Sequence, residues 1–190
     1  MINRAARQGR REDRSEERQQ DRSFGRRNSG NTRYKMRERL VSIGDDFFIE
    51  NEAGDRVFKV DGKALRVRET LIFEDLHGHE LCKLQAKVLR VKDSMEIEGP
   101  NGEQLGMVKK ALISPLRDRW VVKIGNGPDL DVQGNILEHE YTIEEGRNKL
   151  AEVSKRWFRL SDVYGVEIEP GQQDVLILAA TVAIDMMAHE

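Results

Sequence analysis

Ten consecutive residues, Val175 to Ile184, are apolar except for Thr181. Asp174 stands before them and reads as a helix N-cap, where a carboxylate accepts bonds from free backbone N–H groups and meets the positive end of the dipole. A helix apolar on every side must be surrounded, by lipid or by protein. At 1.5 Å per residue it spans only about 15 Å, half the hydrocarbon core of a bilayer. The sequence therefore predicts a helix enclosed by the rest of the chain. Burying its large side chains contributes roughly 10 to 15 kcal/mol as an upper estimate.

What encloses it has β grammar. From Tyr34 onward, short alternating runs are separated by turns containing Gly, Asn or Asp. The segment from Gly54 (GDRVFKVDGKALRVRE) repeats from Gly78 (GHELCKLQAKVLRVKD), a shift of 24 residues. Lys59, Lys63, Leu65, Arg66 and Val67 fall on Lys83, Lys87, Leu89, Arg90 and Val91. A third copy starts at Gly102 and departs at Ser114-Pro115. The period is too short for a propeller blade. Antiparallel strands with no helical pattern between them form a meander, which closes into a barrel or exposes an edge. Further signals are the GNGPD turn after RWVVKIG, a hairpin centred on Gly146, and a last strand, YGVEIE, ending in Pro170-Gly171.

The second half carries a resemblance. Val132-Gln133-Gly134-Asn135, Tyr141-Thr142-Ile143, Leu150-Ala151-Glu152-Val153-Ser154-Lys155-Arg156-Trp157-Phe158, Asp162-Val163-Tyr164-Gly165-Val166 and the final LILAATVAID form the pattern, joined by the early MRERLVSIGDDFFIENEAGDRVFKVDGK. Over about residues 34 to 187 the chain resembles the LURP-one-related group of the tubby-like fold. The resemblance implies a mainly β protein: a closed antiparallel barrel of about twelve strands, threaded by the apolar C-terminal helix. It also implies kinship with phospholipid scramblases and with tubby, which binds phosphoinositides. It carries no agreed biochemical activity and no site residues.

Residues 1–33 form a separate segment, with ten Arg and no Lys against five acids. With Phe24 as its one aromatic it has almost nothing to bury, and it reads as a disordered Arg-rich tail. Residues 34–190 read as the domain. Over the whole chain the net charge is −2, so the domain itself is acidic. A single cysteine, Cys82, allows no internal disulfide, and the N-terminus has no apolar signal region; both fit a cytoplasmic protein, peripheral to a membrane at most.

Several residues invite a chemical reading. His77-x-His79 has metal-ligand spacing, with His139 as a third donor. Against that, the repeat aligns both histidines with turn positions, Ala53 and Asp55 in the first copy. Cys82 aligns with Phe58 and Gly106, which predicts a small buried strand residue and not a nucleophile. Neither a phosphate loop nor a nucleophile elbow is present. Asp185, an acid at the end of the apolar helix, opposes the dipole and is expected where the helix emerges from the barrel. The basic residues of the repeat are more suggestive. Lys63, Arg66 and Arg68 alternate with apolar residues, and Lys87, Arg90 and Lys92 do the same one repeat later. If the two segments are neighbours they form one patch able to hold an anionic headgroup. The tail adds Arg26, Arg27, Arg33, Lys35, Arg37 and Arg39 toward the barrel.

The expectation is a non-enzymatic binding module without cofactor or metal. Its partner would be anionic lipid headgroups or membrane surfaces. The alternatives are a protein-interaction scaffold, and nucleic-acid tethering through the tail. Ligand identity, biological process and oligomeric state are left open.

Overall fold

The structure is a computed structural model, and it describes residues 30–37, 46–62, 70–86, 94–114, 117–158 and 162–189. Twelve strands follow one another: β1 (Thr32–Arg37), β2 (Phe47–Asn51), β3 (Arg56–Asp61), β4 (Thr70–Glu74), β5 (Glu80–Ala86), β6 (Ser94–Glu98), β7 (Gln104–Ser114), β8 (Arg117–Ile124), β9 (Leu130–Asn135), β10 (Glu140–Glu145), β11 (Asn148–Ser154) and β12 (Val163–Ile168). Among the described residues one helix, α1 (Asp174–Ala188), follows them. Each strand pairs antiparallel with the next, and β1 closes on β12 with Tyr34 opposite Val166, so the sheet is a closed barrel. The expected architecture is borne out. β1 starts at Thr32, two residues before the expected domain start. The tail from residue 1 to 29 lies outside the described residues.

The 24-residue repeat has a direct structural counterpart. Register shifts fall between Ile49 and Glu50, Phe73 and Glu74, and Ile97 and Glu98, three bulges one period apart. Each bulge is followed by the same turn. Gly54, Gly78 and Gly102 adopt φ of +85°, +82° and +83°, and their N–H groups donate to the carbonyls of Asn51, Asp75 and Gly99. Only glycine takes this backbone without a Cβ penalty. Asn51 and Asp75 fasten their turns by accepting two backbone N–H bonds each, from Ala53 and Asp55 and from His77 and His79. Gly99 has no side chain, and there Glu103 Oε2 accepts from Asn101 N–H instead.

Every other strand residue points inward. Ile49, Leu71, Phe73, Cys82, Leu84, Ile97, Val108 and Ile143 are all fully buried or nearly so. They meet α1, whose residues from Leu176 to Met186 are buried on all faces. Cys82 takes its expected place in this core, and burial, followed by the charge of Glu80, pushes its thiol up to about 12. Among the described residues no helix is long and apolar enough to cross a membrane.

One expectation needs correction. Gln173, not Asp174, occupies the N-cap position, and no side chain caps the helix. Asp174 sits in the first turn and accepts a 2.6 Å bond from Tyr34 Oη. Its carboxylate still meets the positive end of the dipole, but it reaches outward to β1 and ties the helix to the barrel wall. Burial, and then this bond to a carboxylate, hold the Tyr34 phenol well above its ordinary pKa.

Alternation of strand direction gives the barrel two distinct rims. On the entry rim, where α1 begins, lie residues 52–55, 75–79, 99–103, 125–129, 146–147 and 169–173. On the exit rim, where α1 ends, lie the ends of the connections 38–46, 62–69, 87–93, 115–116, 136–139 and 155–162.

Two substitutions test this packing. Leu178 has no exposed surface, so Leu178→Asp abolishes the cooperative thermal transition measured by circular dichroism. At Gly134, φ is +133°, and an added Cβ would overlap the Glu140 carbonyl oxygen and lie 2.7 Å from Tyr141 Cα. Gly134→Ala is therefore expected to cost about 3 kcal/mol or more in urea unfolding, against about 1 kcal/mol for Gly78→Ala, whose turn has open space.

Candidate functional site at the exit rim

Charge balance differs between the rims, the exit-rim connections holding ten basic residues against seven acids, with Glu38, Asp45 and Asp46 in residues 38–46 among the acids. The entry rim carries Glu52, Asp55, Asp75, Glu103, Asp129 and Glu169 against Arg147. The candidate basic residues Lys63, Arg66, Arg68, Lys87, Arg90 and Lys92 lie outside the described residues. Their flanking strands are described. β3 ends at Asp61 and β4 starts at Thr70, while β5 ends at Ala86 and β6 starts at Ser94, all on the exit rim. Because β4 pairs with β5, these two connections are consecutive around that rim. Each contains three basic residues and one acid. The connection from β11 to β12 repeats that balance with Lys155, Arg156 and Arg159 against Asp162.

The described exit rim adds three features. Leu137, at the turn between β9 and β10, is 63% exposed. Beside the end of β1 a cavity of about 280 Å³ is lined by Lys35, Arg37, Phe48, Glu50 and Asp162, with Met36 and Val163. Lys35 lies 3.8 Å from Glu50 and over the Phe158 ring at 5.6 Å. Deeper on β1, Arg33 is not part of a free basic stretch. It is buried, and its Nε donates to Glu167 Oε2 at 2.6 Å. Burial works to raise the Glu167 pKa, but Arg33, with help from Asn31, holds it below the usual value.

The last feature is a polar cluster at the end of α1. His139 Nε2 lies 2.6 Å from Asp185 Oδ1, and both side chains are buried. His189 Nδ1 lies 3.2 Å from the same Oδ1 and 2.9 Å from the Asp185 carbonyl oxygen. The His139 ring stacks on Tyr164 at 4.3 Å and faces the His189 ring at 5.3 Å. Tyr141 is buried nearby, its phenol pushed well above the ordinary range by burial and then by the charge of Asp185, with Thr181 pulling it partly back. His139 is also the one non-glycine residue with positive φ among those described, at 51°. That backbone is uncommon and sterically costly for a side chain. It is held by bonds at both ends: His139 N–H donates to Ile136 O, and its carbonyl accepts from Lys155 N–H.

These positions correct two readings of the sequence. His139 does not join His77 and His79. Those two stand in the entry-rim turn between β4 and β5, where His79 Nδ1 pairs with Asp75 at 2.8 Å in an exposed setting. There the His79 N–H, the His79 ring and the His77 N–H hold the Asp75 carboxyl down to about 2. Asp185 does stand where the helix leaves the barrel, but it is 3% exposed and paired. His189 was not singled out by the sequence at all. It lies four residues after Asp185, the spacing that puts two side chains on one helix face. Removing one partner of a buried pair leaves the other uncompensated. Asp185→Ala is therefore expected to cost about 3 kcal/mol in chemical denaturation, whereas Asp129→Ala, at the exposed pair with Lys123, should change it little.

Comparison with known proteins agrees with the fold. A crystal structure of an Arabidopsis thaliana protein is similar with a TM-score of 0.61 at 18% identity, over 83% of this chain and 92% of that one. Among curated proteins nothing matches. The family model described as LURP-one-related matches residues 32–185, from the start of β1 to Asp185 in α1. The chain belongs to the LURP-one-related family.

Proposed function

We propose that this chain is a non-enzymatic binding module that docks its exit rim on anionic phospholipid surfaces. The observation that carries the reading is the difference in charge balance between the rims of a barrel whose interior is already filled. α1 occupies the lumen from Leu176 to Met186, so recognition falls to the outer surface and the rims. The entry rim repels an anionic surface through its six acids. The exit rim receives the ends of three connections in which basic residues outnumber acids three to one, and over all six of its connections ten basic residues stand against seven acids. Leu65, Val67, Val88, Leu89 and Val91 are interspersed with those basic residues, and exposed Leu137 stands on the same rim. Apolar residues among cations suit a headgroup layer, where charge attracts and apolar groups partition.

Opposite charges at the two ends also resolve a difficulty of the sequence, that a net acidic domain should be drawn to an anionic surface. A dipolar barrel is oriented by the surface field even when its net charge is unfavourable.

The test is co-sedimentation of the full chain with phosphatidylserine–phosphatidylcholine vesicles, at low and physiological salt. Each basic residue near the surface is worth about 1 kcal/mol. The Arg66→Glu/Arg90→Glu double variant is therefore expected to lose at least about tenfold in partitioning, while Arg26→Glu/Arg27→Glu in the tail loses less. Loss confined to the tail variant would make the tail a generic anion tether and reject the barrel as the recognition element. Absence of binding by the full chain to any of these vesicles would reject the lipid reading.

A further inference from the structure

We propose that His139, Asp185 and His189 form a binding site for a divalent transition-metal ion of the zinc class, fastening the end of α1 to the turn between β9 and β10. The donor atoms, His139 Nε2, Asp185 Oδ1 and His189 Nδ1, all lie within 4.8 Å of one another. Two imidazoles and one carboxylate are the donors that zinc and its neighbours favour, and they give calcium or magnesium little to hold. A four-coordinate zinc with bonds of about 2.0–2.2 Å needs its donor atoms roughly 3.3 Å apart. His189 Nδ1 and Asp185 Oδ1 are already at 3.2 Å, and His139 Nε2 at 2.6 Å from Asp185 needs to retreat by less than ~1 Å.

Both imidazoles bring a nitrogen to the same oxygen, Oδ1, His139 Nε2 to 2.6 Å and His189 Nδ1 to 3.2 Å. His189 Nδ1 also bonds the Asp185 carbonyl oxygen at 2.9 Å, a contact that it would exchange for the ion. A metal ion satisfies all three donors at once, displacing the protons that otherwise occupy the histidine nitrogens. The surroundings fit a ligand role as well. Tyr164 stacks on the His139 ring and fixes its plane. His139 keeps a costly left-handed backbone, and its side chain is buried there against Asp185. His189 is the exposed member, and its side gives an ion a way in from the exit rim and leaves a fourth position for water.

The inference stands on this cluster and does not depend on lipid docking. Its test uses the full chain, freed of metal by chelation and titrated with zinc chloride, with cobalt chloride as a spectroscopic probe. A saturating excess of zinc is expected to raise Tm by about 5 °C, and cobalt to give the intense visible absorption of a four-coordinate site. His189→Ala should remove both signals and move the metal-free Tm little, since the side chain stands at the helix end. His139→Gln should remove them as well. The His77→Ala/His79→Ala variant controls for the exposed pair at the other rim and should keep both signals. Failure of zinc and cobalt to give either signal with the intact chain would overturn the proposal. So would signals that survive His189→Ala or disappear with His77→Ala/His79→Ala.

Discussion

The enclosure of α1 is the constraint on which the rest depends. A helix buried on all faces from Leu176 to Met186 has no surface to offer water, so the sheet must go all the way round it. An open sheet would leave part of the helix wet and two strand edges unpaired. Pairing β1 with β12 removes both costs together, and does so without any crossover, because neighbours in sequence are neighbours in the barrel. The two ends of the helix are then held by polar contacts of different kinds. Tyr34 donates to Asp174 where the helix enters, and His139 meets Asp185 where it leaves.

The strands achieve this economically by repetition. Three bulges, at Ile49, Phe73 and Ile97, are 24 residues apart, and each bends its strand into a glycine turn of one geometry. Bulges increase local twist, which closure of a small barrel requires. The same period brings the strand ends that flank residues 63–69 and 87–93 to one rim and the acidic turns to the other. The polarity proposed to orient the barrel on a membrane is thus a by-product of the repeat that builds it.

Much of the fold was legible because its signals are local. Alternation marks the strands, the glycines at 54, 78 and 102 mark the turns, and the apolar run marks the helix. Cys82 could be placed in the core from its alignment with Phe58 and Gly106 in the other copies of the repeat. The polar cluster was not legible, for physical reasons. His139 and Asp185 are 46 residues apart and meet only once the barrel is closed. Spacing instead suggested His77 and His79 as companions of His139, yet those belong to a turn on the opposite rim. Asp185 could be placed where the helix emerges from the barrel, but its partner could not be named, because the compensating imidazole comes from another element. Arg33 likewise read as part of a basic stretch, when its partner, Glu167, lies on the strand that closes the barrel.

The central functional claim is an orientation, exit rim toward the anionic surface, and it is measured most directly by spin labels at the two ends. Leu137 on the exit rim and Leu76 on the entry rim are both exposed, and buried Cys82 does not compete for the label. Each leucine is replaced singly by cysteine, labelled, and bound to phosphatidylserine vesicles, with accessibility read from relaxation by a lipid-soluble and a water-soluble agent. The label at 137 is expected to enter the headgroup region while the label at 76 stays in water. Equal water exposure of both labels on bound protein, or contact by position 76 instead, would contradict it.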